Sequence, residues 1–245
     1  MNKPLLIILS GWSIKNYVWN KLKSLLDEDY KVIIMDYNSA KSIDDIKKKV
    51  ISIIEKESLP SVTLLGWSLG SLIAQDIASD NLCSIEKIIL ISATSSFISR
   101  KKDGYSAGWN KRVLEKMKNK LTQNHDLVLH DFYKSMFSVN EIQEKYFLEF
   151  MNMYNEDKTA TSIGTLILGL DYLIKKDLRD KITDIVVPTL LIHGEKDLIC
   201  PLESTKYIHS KISHSKVNPI PDAGHAVFFT KPLECYNIIS KFGTK

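Results

Sequence analysis

Most of what this sequence predicts follows from one stretch, Ser61-Val-Thr-Leu-Leu-Gly-Trp-Ser-Leu-Gly-Ser-Leu-Ile-Ala-Gln75. The apolar run before Gly66 is typical of a buried β-strand, and a helix is expected to begin at Leu69. The turn between them fits the pattern G-x-S-x-G, in which a serine occupies a sharp strand-to-helix turn. An ordinary β-to-α turn can carry the same letters, but the flanking strand and helix favour Ser68 as a nucleophile.

Similar apolar runs alternate with helical segments along much of the chain. Strands are predicted, the first four of them buried, at residues 5–9, 31–35, 62–65, 87–92, 188–193 and 216–220. Helices are predicted between and after them, at residues 17–26, 43–57, 69–78, 202–212 and 233–242. Strands that alternate with helices at this spacing indicate an α/β protein built on a mostly parallel sheet.

Residues 95–181 interrupt this alternation. No strand pattern is found there, and apolar residues recur at helical spacing in four stretches instead. Faces rich in aromatic residues and methionine usually pack in a core. An insertion that follows a strand beside the nucleophile turn is also typical of a lid, which excludes water and shapes an apolar pocket. We therefore predict an α/β core at residues 1–94 and 182–245, with a helical lid at residues 95–181.

A histidine near the end of the chain is the expected base. A nucleophilic serine needs a base to take its proton, and the base needs an orienting carboxylate. His225 ends the run Pro221-Asp-Ala-Gly-His225, a glycine-containing turn that follows a late strand. His193 is the competing candidate, but it ends the strand that leads into the acid loop, where a structural role is expected. The sequence therefore favours His225 as the base.

The expected acid lies between the nucleophile and the base. In chains with this type of turn, the order is serine, acid, histidine. The loop His193-Gly-Glu-Lys-Asp197 follows a predicted strand, and Asp197 comes 129 residues after Ser68 and 28 residues before His225. We prefer Asp197 to Glu195, and we rank Asp222 third.

Two backbone N–H groups are expected to bind the oxyanion that develops during acyl transfer. The N–H of Leu69 lies at a predicted helix N-terminus, which favours negative charge. The second donor is expected in the loop after the first strand, Ser10-Gly-Trp-Ser13, where Trp12 is the candidate. A core tryptophan is the alternative interpretation of Trp12, and the two are compatible because its backbone N–H and its ring act separately.

Size and composition exclude several classes of protein. With 245 residues and 44% hydrophobic content, the chain can bury one large core. A net charge of +4 argues against a dedicated nucleic-acid binder, and no apolar run approaches the roughly 18 residues of a membrane span. The three cysteines are scattered and suggest neither a disulfide framework nor a zinc site. We expect a cytoplasmic monomer that needs no metal and no cofactor.

These residues together resemble the α/β-hydrolase superfamily over nearly the whole chain. Within it, the chain resembles the pimeloyl-acyl-carrier-protein methyl ester esterases of biotin synthesis. The segments that carry this resemblance are Gly11-Trp12, Gly66-Trp-Ser-Leu-Gly70, Gly169-Leu-Asp-Tyr-Leu173, Asp177-Leu-Arg179 and Val187-Pro188. Ser10 departs from the pattern, because these enzymes usually have a histidine at that position.

The resemblance implies a serine carboxylesterase that hydrolyses the methyl ester at the distal end of a pimeloyl chain on acyl carrier protein. Trp12 and Leu69 match the family's oxyanion and substrate-contact positions. Phe132, Tyr133 and Met136 match a lid segment that lines the acyl chain. Other functions of the same fold remain open, namely a general short-chain carboxylesterase, a C–C hydrolase or lyase, and a ligand-binding receptor on a hydrolase scaffold.

Positive charge is concentrated in residues 100–120. This stretch has eight Lys or Arg and two acidic residues, a net charge of +6, whereas the whole chain carries only +4. A solvated helix face is the usual meaning of such a run. Because the stretch adjoins the predicted pocket entrance, and because the resemblance implies an acidic carrier protein, we predict that the carrier protein docks here.

Overall fold

A six-stranded sheet forms the centre of the molecule. The structure is a computed structural model, and it describes residues 3–37, 40–57, 62–157 and 161–243. The strands are β1 (Leu5–Leu9), β2 (Lys31–Ile34), β3 (Val62–Trp67), β4 (Lys87–Ile91), β5 (Thr189–Gly194) and β6 (Ser215–Ile220). Their order across the sheet is β2-β1-β3-β4-β5-β6, and every neighbouring pair is parallel. The predicted α/β architecture is confirmed.

Helices connect the strands and cover the sheet. They are α1 (Asn20–Leu26), α2 (Ile43–Glu57), α3 (Leu69–Asp80), α4 (Lys111–Leu121), α5 (His125–Ser135), α6 (Val139–Gln143), α7 (Tyr146–Glu156), α8 (Ile163–Lys175), α9 (Leu202–Lys211), α10 (Val227–Thr230) and α11 (Pro232–Gly243). The helix predicted from residue 17 starts as a 3₁₀ turn, Asn16–Trp19, before α1 begins. Within the described ranges, no helix has the length and apolar character needed to cross a membrane.

The apolar runs of the sequence correspond to strands with different degrees of burial. Strands β1, β3, β4 and β5 are buried at every residue, as expected of parallel strands covered on both faces. Strand β2 lies at the edge of the sheet, where Lys31 is exposed and Val32, Ile33 and Ile34 are only partly buried. The prediction of a buried strand at residues 31–35 is wrong for these four residues, because an edge strand has a neighbour on one side only.

The order of the strands creates a crevice at one end of the sheet. The chain passes from β1 to β2 on one side and then returns to β3 on the other side of β1. Loops that leave two adjacent strands in opposite directions open a crevice beyond the carboxyl ends of those strands. Leu9 pairs with Gly66 at the last position of the β1–β3 register. The loop at residues 10–13 therefore lies beside the turn that carries Ser68.

The chain between β4 and β5 is helical. Its described residues form α4 to α8, two short 3₁₀ turns and three isolated β-bridges, without a strand ladder. Most apolar positions of the predicted helical stripes are buried or partly buried, whereas Val113 is 47% exposed. The division of this segment from the core at residues 95 and 181 remains a prediction.

A charged cluster fastens the end of this helical segment to α3. Asp76 on α3 has a 1% exposed side chain, and its carboxylate lies 2.8 Å from Lys47 Nζ and 2.7 Å from Lys176 Nζ. Lys181 lies 3.3 Å from the other carboxylate oxygen. Burial alone would raise the pKa of Asp76, but the hydrogen bonds from Lys176 and Lys47 outweigh burial and lower that pKa below its usual value.

We expect Asp76→Asn to lower the free energy of unfolding by about 2 kcal/mol at neutral pH, because three lysines lose their shared carboxylate. The pKa of Asp76 is lower in the folded protein than in the unfolded chain, so the stabilisation exists above about pH 4 and is lost as the pH falls through the lowered value. Urea unfolding at pH 7 and at pH 3 measures this difference, and the exposed Glu144→Gln is the control. An equal loss of stability at both pH values would contradict the ionic role of Asp76.

Candidate active site

Ser68 occupies a strained position between β3 and α3. Its backbone angles are φ 55° and ψ −118°, a combination that costs a non-glycine residue roughly 1–3 kcal/mol. The surrounding hydrogen bonds hold the strain in place, because the N–H of Ser68 donates to the carbonyl of Ile91 at 3.1 Å and its carbonyl accepts from the N–H of Ser71 at 2.9 Å. Ser68 therefore has the sharp turn that the sequence pattern predicts.

Three glycines permit the close packing around this turn. A Cβ added to Gly66 would lie 2.5 Å from the carbonyl oxygen of Gly70, and one added to Gly70 would lie 1.9 Å from that of Leu9. A Cβ on Gly11 would lie 2.6 Å from the ring of Trp67 and 3.3 Å from Ser68 Cβ. The loop after β1 therefore packs directly against the serine turn.

Asp197 lies in the loop after β5 with both carboxylate oxygens engaged. Oδ1 accepts hydrogen bonds from the N–H groups of Ile199 at 2.8 Å and Cys200 at 2.9 Å, while Oδ2 lies 2.7 Å from His225 Nδ1. Burial alone would raise the pKa of Asp197, but His225, His193 and the Cys200 N–H outweigh burial and lower that pKa. An ionised Asp197 accepts only, so the hydrogen between it and His225 belongs to Nδ1.

His225 is fully buried beside the serine turn. Its carbonyl accepts hydrogen bonds from Trp67 Nε1 at 2.8 Å and Ser92 Oγ at 2.9 Å, and its ring centroid is 5.2 Å from that of Trp67. Nδ1 donates to Asp197, so in the neutral ring Nε2 carries the lone pair. Nε2 is buried and has no hydrogen-bond partner among the residues that the structure describes. A basic nitrogen thus remains available next to the turn that carries Ser68.

The competing residues have other surroundings. The buried His193 donates from Nε2 to the carbonyl of Cys200 at 2.8 Å, and its Nδ1 lies 2.7 Å from Thr205 Oγ1. Burial lowers the pKa of His193, which keeps its ring neutral with both nitrogens occupied. Glu195 and Asp222 are exposed, and the carboxyl group bonded to the His225 ring is that of Asp197.

The two oxyanion candidates lie on neighbouring segments. Leu69 is the first residue of α3, where N–H groups have no partner within the helix. Neither its N–H nor that of Trp12 donates a backbone hydrogen bond within the described part of the chain. The Trp12 ring is 3% exposed, donates from Nε1 to the carbonyl of Leu166 at 2.8 Å, and meets Phe132 edge-on at 4.9 Å. Trp12 thus has a packed ring and a backbone N–H that donates to no backbone carbonyl of the described residues.

A narrow apolar pocket reaches Ser68 from the helical segment. Trp12, Ser68, Met117 and Phe132 are among the residues that line it, and its free volume is about 10 Å³, about the space of one water-sized sphere. Met117 and Phe132 also line an open outer groove of about 360 Å³, together with Trp109. A chain that enters along the outer groove therefore reaches the serine only when one of these side chains moves.

Two of the three predicted acyl-chain contacts, Tyr133 and Met136, make interactions outside the narrow pocket, and their contact with an acyl chain stays a prediction. Within the described residues, neither Tyr133 nor Met136 lines the narrow pocket. The buried Tyr133 donates from its hydroxyl to the carbonyl of Ser13 at 3.1 Å, which supports the loop after β1. Met136 accepts a hydrogen bond from the N–H of His225 at 2.8 Å through its carbonyl. Of the three predicted lid contacts, only Phe132 faces this pocket.

Another cavity, larger than the narrow pocket at Ser68, lies near the oxyanion candidates. It has a volume of about 320 Å³ and is bordered by Gly11, Trp12 and Leu69, with Tyr37 and Ile46 among the other lining residues. No sequence pattern predicts this cavity, although the crossing of β1, β2 and β3 places the loop after β2 at the same end of the sheet. No cluster of three potential metal ligands occurs in the residues that the structure describes.

The sequence of this chain matches the model of a known protein family. The family model described as alpha/beta hydrolase fold matches residues 4–232. The chain belongs to the α/β-hydrolase family. This confirms the family resemblance and the fold class, and the family membership supports a hydrolase.

Individual relatives give the same result over nearly the full chain. A pimeloyl-acyl-carrier-protein methyl ester esterase from Nitrosospira multiformis is 25% identical, with 94% of this α/β-hydrolase and 90% of that protein covered. A protein of the same name from Wigglesworthia glossinidia brevipalpis is 28% identical, with 97% of this chain and 92% of that protein covered. An esterase from Exiguobacterium antarcticum superimposes with a TM-score of 0.84 at 25% identity, with 99% and 93% covered.

Proposed function

We propose that this α/β-hydrolase is a serine carboxylesterase that hydrolyses the methyl ester of an acyl chain bound to a carrier protein. The observation that carries this proposal is the state of His225, whose Nδ1 is bonded to Asp197 and whose buried Nε2 has no partner beside the Ser68 turn. A histidine held in this tautomer can take the proton of a serine hydroxyl.

The proposed reaction passes through an acyl-enzyme. Ser68 Oγ attacks the ester carbonyl carbon while His225 Nε2 takes its proton. The N–H groups of Leu69 and Trp12 stabilise the oxyanion, and one such donor is typically worth about 2.7–4 kcal/mol. The bond to the methoxy oxygen breaks, and His225 gives its proton to the departing methanol. A water molecule then attacks the acyl-enzyme, His225 takes the proton of that water, and Ser68 recovers its hydroxyl hydrogen.

The names of the relatives and the outer groove support a carrier-bound acyl substrate. The relatives from Nitrosospira multiformis and Wigglesworthia glossinidia brevipalpis are named as esterases of pimeloyl-acyl-carrier-protein methyl ester. Met117 and Phe132 separate the outer groove from the pocket at Ser68 and line both, and Lys116 and Lys120 also line the groove. A basic rim above an apolar passage suits an acidic carrier that delivers an acyl chain.

Turnover with two substrates tests the proposal. We expect the protein to release pimeloyl-acyl-carrier protein and methanol from the carrier-bound methyl ester, and to restore growth of a biotin auxotroph that lacks this esterase. A short p-nitrophenyl ester is the comparison substrate. Hydrolysis of the carrier-bound ester no faster than that of the small ester would favour the second candidate, a general short-chain carboxylesterase.

The second candidate rests on two observations. The Exiguobacterium antarcticum protein, which is named only as an esterase, matches 99% of this chain with a TM-score of 0.84. The pocket at Ser68 has a free volume of only about 10 Å³, so a short acyl group requires less rearrangement than a long one. The two candidates share the same nucleophile and differ in the length of chain that must pass Met117 and Phe132.

Charge reversal at the rim of the groove tests carrier docking. Lys118 is held by Asp171, with Nζ 2.5 Å from the carboxylate, whereas Lys116 and Lys120 line the groove with one carboxylate, that of Asp131. We expect the double variant Lys116→Glu/Lys120→Glu to lower kcat/KM for the carrier-bound ester by about tenfold at low salt and by less at high salt, because exposed charges mainly set the encounter rate. Steady-state kinetics at two salt concentrations measure the effect.

The matched control is Lys48→Glu/Lys49→Glu on α2. These exposed lysines do not line the groove, and their reversal changes the net charge by the same amount. Hydrolysis of the small ester should stay within about twofold of the original protein in both double variants, because the residues around Ser68 are untouched. Equal losses with both substrates would mean that the groove variant disturbs the helical segment, and carrier docking at this rim would lose its support.

A further inference from the structure

The loop that carries His225 rests on a short segment of the helical region. The N–H groups of His225 and Ala226 both donate to the carbonyl of Met136, at 2.8 and 3.3 Å. Ser138 Oγ donates to the carbonyl of Asp222 at 2.9 Å. The backbone on both sides of the histidine is therefore held from residues 136–138, at the junction of α5 and α6.

Glu141 completes this support from within α6. Its side chain is 1% exposed, and its Oε2 accepts hydrogen bonds from the N–H of Gly224 at 3.0 Å and from that of Ser138 at 2.7 Å. Oε1 of Glu141 is buried and has no hydrogen-bond partner in the described part of the chain. The second of the two bonds belongs to a capping box at the start of α6, whereas the first reaches the residue directly before His225.

Gly224 fits against this segment without free space. A Cβ added to Gly224 would lie 2.6 Å from the carbonyl oxygen of Met136, 2.8 Å from Glu141 Oε2 and 2.8 Å from the N–H nitrogen of Ser138. Asp222, two residues earlier, has a positive φ of 57°. The loop thus has an unusual backbone shape that is pressed against residues 136–141.

These contacts fix the N–H side of the His225 backbone, while Trp67 and Ser92 hold its carbonyl. Asp197 fixes the direction of Nδ1, while Nε2 must stay within reach of a serine that is itself held by the sheet. Without the Glu141 carboxyl group, the N–H of Gly224 would lose its acceptor in a buried site, and the loop would move to satisfy it. A displacement of about 1 Å at a reacting group can lower a rate by about a hundredfold.

We propose that Glu141 is a positioning residue for the base: it fixes the backbone at Gly224 and thereby keeps His225 Nε2 in line with Ser68. This inference rests on the proposed serine-hydrolase function. It assigns to the helical segment a part in the reaction besides covering the pocket, because residues 136–141 hold the N–H side of the histidine loop while the sheet end holds the carbonyl of His225.

The variants Glu141→Ala and Glu141→Gln test the proposal. We expect Glu141→Ala to lower kcat for a small ester by about 30-fold with KM within about twofold, because substrate contacts are unchanged while the base is displaced. Glu141→Gln keeps an oxygen acceptor for Gly224 and should recover kcat to within about threefold of the original. The rate of fluorophosphonate labelling at Ser68 should fall in the same order. Both variants are measured at a temperature at which circular dichroism shows them folded.

Two N-cap serines provide a matched pair that does not depend on the folding of Glu141→Ala. Ser138 caps α6 and also donates to Asp222, whereas Ser162 caps α8 through the N–H of Thr165 and has no bond to the histidine loop. We expect Ser138→Ala to lower kcat about fivefold at constant KM, and Ser162→Ala to leave kcat unchanged. Both substitutions remove the same kind of cap, so they control for a loss of helix stability.

The outcomes separate this inference from the proposed function. Absence of ester hydrolysis and of Ser68 labelling in the unaltered protein would overturn the proposed function. An active protein in which Glu141→Ala keeps kcat within twofold would overturn the positioning role alone. If Glu141→Ala does not fold, equal kcat values for Ser138→Ala and Ser162→Ala would overturn it, and a drop confined to Ser138→Ala would support it.

Discussion

Replacement of Ser68 by alanine should remove nearly all ester hydrolysis, with a loss in kcat of roughly 10⁴-fold or more. In the proposed reaction this hydroxyl forms the acyl-enzyme, and the turn that carries it has the strained angles φ 55° and ψ −118°. A fluorophosphonate probe should label the original protein at Ser68 and leave Ser68→Ala unlabelled. Peptide mapping by mass spectrometry identifies the modified residue.

The control for this substitution lies on the same helix. Ser79 is also buried, and its hydroxyl donates to the carbonyl of Asp76, on the part of α3 remote from the turn. Ser79→Ala should retain labelling and activity although it also removes a buried serine hydroxyl. Labelling that maps to Ser10, Ser13 or Ser71 would show that the nucleophile has been assigned to the wrong serine.

Features encoded by local patterns could be predicted from the sequence. The apolar runs of the central strands and the glycine spacing around Ser68 act over a few residues, so the strands, the turn and the start of α3 at Leu69 agree with the prediction. The order of serine, acid and histidine singled out Asp197 and His225, whose side chains lie in contact at 2.7 Å. The catalytic roles of these residues stay predictions.

Features that depend on distant backbone atoms could not be predicted. The carbonyl of Met136 and the carboxyl group of Glu141 hold the histidine loop across more than 80 residues of sequence, and a carbonyl acceptor has no sequence signature because every residue carries one. The resemblance predicts Met136 as an acyl-chain contact and carries no information about its carbonyl. The role of Ser10 is of the same kind, since its buried hydroxyl accepts from Trp19 Nε1 at 2.9 Å.

The charge pattern of the sequence located the basic stretch but not the ion-pair partners of its side chains. The excess of lysine and arginine in residues 100–120 is local and visible in the sequence, but its partners come from other elements. Arg100 pairs with Asp177 at 2.7 Å and Lys118 with Asp171 at 2.5 Å, both across long sequence separations. The structure thus shows which cations are already neutralised and directs the docking test to Lys116 and Lys120.

The second large effect concerns His225 and Asp197, which should act with Ser68 as one unit. We expect His225→Ala to lower kcat by roughly 10⁴-fold or more, and the double variant Ser68→Ala/His225→Ala to be about as inactive as either single variant, because a base without a nucleophile contributes nothing. Asp197→Asn should cost roughly 10³- to 10⁴-fold, since an amide at this position can favour the tautomer that places the hydrogen on Nε2.

Glu195→Gln is the matched control for the acid. Glu195 lies two residues from Asp197 in the same loop and is exposed, so the loss of its charge should change kcat by less than about twofold.

Pre-steady-state kinetics with a p-nitrophenyl ester separate acylation from deacylation, and both steps should slow in Asp197→Asn because His225 serves each of them. A larger loss from Glu195→Gln than from Asp197→Asn would overturn the acid assignment. Losses from Ser68→Ala and His225→Ala that add in the double variant would show that the two residues act independently, and the proposed proton transfer between them would then be wrong.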